Sequence, residues 1–165
     1  MEAIPASPFD EDKWGALRSA PMTVKRIRER ARDQLELFRM VFKDTKSGLE
    51  FLAQDEPVSV GLVKSAFGEA QLRLSWLFLP KAASAVHEEL VGRIVALVPD
   101  HLDLATSSRS LAPIWELIVP EHGDVTVRVS GQTSVISESG FQSRVAEQVF
   151  RAGMALNRAI AEATS

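Results

Sequence analysis

Ala82-Ala83-Ser84-Ala85-Val86-His87-Glu88-Glu89-Leu90-Val91-Gly92-Arg93-Ile94-Val95-Ala96-Leu97-Val98 is the stretch on which the fold turns. Pro80 precedes it and Pro99 follows it, and proline interrupts helices and strands alike. Within it Val86, Leu90, Ile94 and Leu97 recur at helical spacing, and Val91, Val95 and Val98 widen the stripe. That pattern predicts a helix from about Ala82 to Val98, apolar over so wide a surface that it packs on more than one element.

Working outward, the segments on either side alternate. Leu72, Leu74, Trp76 and Phe78 share one face of a predicted strand, with Gln71, Arg73 and Ser75 opposite, as a half-buried strand requires. Upstream, Leu49, Phe51 and Ala53 form a short strand, and Val58, Val60 and Leu62 another. Gly61 inside the latter signals a bulge or a close neighbour. Downstream, Trp115, Leu117 and Val119 alternate with Ile114, Glu116 and Ile118, and Pro120–Asp124 makes a turn into Val125, Val127 and Val129. Ser134-Val135-Ile136 is placed to extend that ladder.

Helices bracket the chain. The first is expected to start at Thr23, a favourable N-cap residue, with Val24, Ile27, Ala31, Leu35, Phe38 and Phe42 on one face. The last is expected to open on a capping box, Ser139 with Gln142, and to bury Val145, Val149, Ala152, Leu156 and Ile160. Gly153 in its interior costs about 1 kcal/mol relative to alanine, so a close packing contact is expected there. Residues 1–21, with Pro5, Pro8 and Pro21, read as an extended arm. The predicted fold is one α+β domain over residues 22–165, in the order α-β-β-β-α-β-β-α. An antiparallel sheet of about five strands packs against the helices.

Composition narrows the chemistry. The 165 residues contain no cysteine and no tyrosine, so thiolate, disulfide and phenolic chemistry are excluded. The net charge of −3 argues against non-specific binding to nucleic acid or to an anionic membrane. No apolar run is long enough to span a bilayer, no signal peptide opens the chain, and a cytoplasmic location is expected. No Walker loop, dinucleotide fingerprint, His-Glu-x-x-His or Gly-x-Ser-x-Gly elbow occurs, so neither a cofactor nor catalysis is expected. Asp100-His101-Leu102-Asp103 and Glu121-His122-Gly123-Asp124 offer imidazole and carboxylates. Both lie in predicted loops, where such residues serve turns, and no metal site is expected. His87, beside Glu88 and Glu89, reads as a surface residue.

What remains points to binding. Lys25, Arg26, Arg28, Arg30 and Arg32 crowd about two turns of the first helix. They read first as a solvated face and second as a docking face. The residues expected to meet a partner are Trp14 of the arm, Lys25, Arg28 and Arg32 of the helix, and Trp115, Leu117 and Val127 of the second hairpin. That hairpin is valine-rich with few outward charges, so it is expected to pair with a second copy or to hold an extended segment. The alternative is a small-ligand or catalytic pocket between sheet and helices, lined by Trp76 and Trp115.

In the order and size of its elements the chain, over residues 22–162, resembles class I type III secretion chaperones and a bacterial family of sensory transduction regulators. The resemblance implies a small acidic bacterial protein of the cytoplasm, forming a homodimer and holding an extended part of a protein client. It assigns no residue a role.

Overall fold

The computed structural model describes residues 18–56, 59–81, 84–98 and 114–164. A helix, α1 (Ala20–Lys43), precedes seven strands: β1 (Glu50–Ala53), β2 (Ser59–Ser65), β3 (Gly68–Lys81), β4 (Ser84–Leu97), β5 (Trp115–Val119), β6 (Val125–Val129) and β7 (Gln132–Ile136). A second helix, α2 (Gln142–Thr164), closes the chain. Every strand is antiparallel to its sequence neighbour, and the sheet order is β1 to β7 without a crossover. The fold is therefore α+β with an antiparallel sheet packed on two helices, but with seven strands rather than about five.

The helix expected over residues 82–98 is instead β4. It pairs with β3 through Leu72↔Ala96, Leu74↔Ile94, Trp76↔Gly92 and Phe78↔Leu90. The reason lies in the width of its apolar surface. Leu90, Ile94 and Ala96 are buried toward the helices, while Val91 and Val95 are buried on the opposite face. A strand covered on both sides carries apolar residues at nearly every position, which also satisfies any helical spacing. Val91, Ile94, Val95 and Val98 are β-branched, which favours extended backbone, and Gly92 disfavours helix. Gly92 also has a packing role: a Cβ there would come within 2.6 Å of the Ile27 side chain.

The helix ends also shift. Ser19, not Thr23, is the N-cap of α1, and Pro21 occupies its first turn, where its missing N–H costs nothing. Thr23 donates its N–H to the Ser19 carbonyl. The α2 helix starts at Gln142, and the Phe141 carbonyl accepts from the N–H groups of Arg144 and Val145. The expected stripes are otherwise realised: Ile27, Ala31, Leu35, Phe38 and Phe42 are buried in α1, and Val149, Ala152, Leu156 and Ile160 in α2.

The core forms where both helices meet the inner face of the sheet. Phe38 sits at its centre, 5.2 Å from the Phe51 ring and edge-on to Trp115 at 5.7 Å. Trp115 is fully enclosed, and its indole N–H donates to the Ala152 carbonyl at 3.1 Å, so its polar atom is satisfied in the dry interior. The close contact expected at Gly153 is with Phe42, whose ring would lie 2.2 Å from a Cβ. The bulge expected near Gly61 appears as a register shift between Ser59 and Gly61.

Candidate functional site: a cleft between the first helix and the sheet edge

The basic face of α1 divides its cations between two tasks. Arg26 and Arg30 reach the β5–β6 turn. Arg26 pairs with Glu121 at 2.6 Å, and Arg30 donates to the carbonyls of Pro120 at 2.5 Å and Gly123 at 2.6 Å. Glu138 ties the same turn by accepting from the Gly123 N–H. The hydrogen bond from Arg26 is the main reason the Glu121 carboxyl is held below the usual carboxylate range. Glu121 thus fastens a helix, and His122 beside it is largely exposed. Among the described residues no three of His, Asp and Glu converge. Asp100-His101-Leu102-Asp103 lies outside the described residues.

Arg28 and Arg32 face the other way, over a cleft of about 370 Å³ between α1 and the β1 side of the sheet. Helical periodicity explains the split, because positions 26 and 30 share one side of the rod and 28 and 32 another. The floor of the cleft is apolar and is the outer boundary of the core: Leu35 from α1, Phe51 from β1, and Leu72 and Leu74 from β3, each exposed by 7% or less. Its rim is charged, with Arg28, Arg32, Asp33, Glu36 and Arg39 on the helix and Asp55 and Glu56 after β1. Arg32 crosses the mouth to Asp55 at 2.9 Å, with both side chains mostly exposed. A pair so wet is worth about 0–1 kcal/mol and gives way readily to another partner. Glu36 is engaged by Arg39, whose hydrogen bond lowers the Glu36 pKa. Arg28 forms no ion pair among the described residues. Its guanidinium lies 5.8 Å from the Trp76 ring, a cation–π distance.

β1 borders this cleft and, among the described residues, is an outer strand paired with β2 alone. Its outward N–H and C=O groups face away from the sheet, next to the apolar floor. Ala53, exposed at the end of β1, also lines the cleft.

The structure disperses the residues expected to meet a partner. Arg28 and Arg32 come together on the cleft, and Lys25 is exposed on α1. Trp115, Leu117 and Val127 are core residues at 2% exposure or less. The hairpin that carries them has no free edge, since β5 pairs with β4 and β6, and β6 with β7. It therefore cannot take up a further strand, and the expectation that it does is corrected. Trp14 lies outside the described residues. Trp76 is half-buried beneath Arg28, whereas Trp115 sits in the closed core, so the two do not line one pocket. The residues that do build the cleft include Leu35, Phe51, Leu72 and Leu74. Sequence reading placed each on a buried face, but gave no sign that the rod and the ribbon diverge there.

Among the described residues no helix is long and apolar enough to cross a membrane. The element order behind the resemblance to secretion chaperones changes at β4. Compared with known protein families, with curated proteins and with solved structures, the chain matches none of them.

Proposed function

We propose that this chain is a non-enzymatic protein-binding module that holds an extended segment of another protein in the cleft between α1 and β1. The observation that carries the reading is the adjacency of an apolar floor and a free strand edge. A segment running along β1 gains backbone hydrogen bonds from the edge and places alternate side chains at the near side of the cleft, by Leu35, Phe51 and the exposed Ala53. Arg28, which forms no ion pair among the described residues, suits an acidic residue in the segment, and the exposed Arg32–Asp55 pair opens at little cost. In the chaperone-like or adaptor role this implies, the client is a cytoplasmic protein and the module acts without a cofactor.

A second reading takes a small apolar ligand in the same cleft. Its volume falls in the range of small-molecule sites, about 300–1,000 Å³.

Selection of displayed random peptides on the wild type and on Ala53→Arg separates these. Ala53 is exposed, so the variant folds while its side chain fills the cleft. Extended, apolar peptides that bind the wild type and are lost on A53R support the proposal. Small molecules that bind where peptides do not favour the second reading. Peptides bound equally by both proteins sink the cleft as the site.

A further inference from the structure

The β3–β4 hairpin is longer than the sheet around it. Pairing of β2 with β3 ends at Ser59↔Arg73, and pairing of β4 with β5 ends at Gly92↔Val119. Beyond those points, among the described residues, β3 and β4 pair only with each other, as far as Lys81↔Ser84. A two-stranded ribbon with both edges open is marginal in water.

Along β3 this ribbon keeps its safeguards only at the tip, where Pro80 ends an uncharged window and the β3–β4 register shifts between Pro80 and Lys81. Outer strands are normally kept from pairing by shortness, charge, proline or bulges. β1 has four residues and begins with Glu50. β7 is exposed and polar at Gln132, Thr133 and Ser134. On β3, by contrast, Leu74-Ser75-Trp76-Leu77-Phe78-Leu79-Pro80 holds no charge, and Arg73 and Lys81 bound it. Phe78 is 44% exposed, and Trp76, Leu77 and Leu79 are only half-buried.

We propose that a second copy of this chain pairs with this edge, β3 antiparallel to β3 about a two-fold axis at Leu77. The uncharged window selects both occupant and register. Leu77 is its midpoint, so a two-fold axis there matches the window with itself; Arg73 then stands opposite Lys81 of the second copy at each end, a like-charge pair that limits the paired stretch to the window. Trp76 then stands opposite Phe78 of the second copy and Ser75 opposite Leu79, each on a common face, because paired positions keep the same parity. The aromatic pair occurs twice, and cross-strand aromatic pairs are among the favourable ones. A client of unrelated sequence does not supply this repeated aromatic pair.

This inference is independent of the cleft reading, and Ala53→Arg is expected to leave the dimer intact. Light scattering at micromolar concentration tests it on the full chain. The wild type is expected at twice the chain mass. Phe78→Lys, at an exposed position, is expected to weaken association about tenfold or more while far-UV circular dichroism stays unchanged. Because the chain has no cysteine, Leu77→Cys gives a single thiol placed across the axis from its counterpart, and a short bis-maleimide is expected to join the two. Lys64→Cys, on β2, is expected not to cross-link. A monomeric wild type overturns the proposal, whether or not its ribbon takes up a peptide. So does a dimer indifferent to F78K, or one in which K64C cross-links as readily as L77C. Should F78K fail to fold, the cysteine pair decides.

Discussion

One side of this molecule is sealed and the other is open, though both are built from the same apolar residues on alternating strands. On the sealed side, around β5, β6 and α2, every strand has two neighbours and the helix lies close. Gly153 admits the Phe42 ring, and the Trp115 indole bonds to the α2 backbone. On the open side, around β1 to β3, α1 and the sheet part to leave a cleft, and β3 outruns its neighbour. Apolar composition does not distinguish a core from a binding surface here. Satisfied backbone edges do.

The sharpest way to break this contrast is to truncate an indole on each side. Trp115→Ala is expected to cost about 3–5 kcal/mol, as for large buried aromatics, read as a lowered denaturation midpoint in urea. Trp76→Ala, half-exposed, should cost about 1 kcal/mol or less. Equal losses would mean the open side is as tightly built as the sealed one. Next in size is Gly153→Ala. The added methyl meets the buried Phe42 ring, and overpacking of about 1–3 kcal/mol outweighs a helix-propensity gain of about 1 kcal/mol. If G153A stabilises the protein instead, the helices are less closely packed than described.

Two arginines on one helix sharpen the comparison further. Arg30, bonded to two carbonyls of the β5–β6 turn and largely shielded, should lose about 1–2 kcal/mol on change to alanine. Arg32, on the cleft, should lose at most about 0.5 kcal/mol. The smallest effect concerns acid. The Glu121 carboxyl is depressed in the folded state by its hydrogen bond from Arg26. A depressed carboxylate adds stability above its unfolded pKa and loses it as pH falls through the folded value. The wild type should therefore exceed Glu121→Gln by a constant few tenths of a kcal/mol near neutral pH. That margin should vanish below about pH 4. A margin that persists in acid would show that Glu121 acts through packing rather than charge.

Much of the fold was legible in the sequence. The buried stripes of both helices and five of the strands follow from spacing, because most have one wet face and one dry face; β5, buried at Ile118 as well, kept Glu116 as its one polar break. β4 was not, because a strand dry on both faces has lost the alternation that marks it. The near-absence of a polar side at Leu90–Val98 was the available signal, together with Gly92. β7 was legible only as an extension, since Gln132–Ser134 carry no apolar pattern. Of the cleft, the cations Arg28 and Arg32 were visible as a charged face. The floor was not, because Leu35, Phe51, Leu72 and Leu74 look like any core residues until the helix path is known. The expectation at Trp115, Leu117 and Val127 failed for a related reason: strand order decides which hairpin is interior, and no residue pattern announces it.

The unbroken meander has a kinetic consequence. With each strand joined to the one just made, the sheet can grow by successive short-range zippering and needs no distant ends to meet early. Burial of the central indole must wait for the last element to dock, since its hydrogen-bond acceptor lies in α2. In a chain with Trp14 and Trp76 changed to Phe, stopped-flow fluorescence of Trp115 should lag the far-UV signal of the sheet. Synchrony of the two would instead put the closing helix in the rate-limiting step.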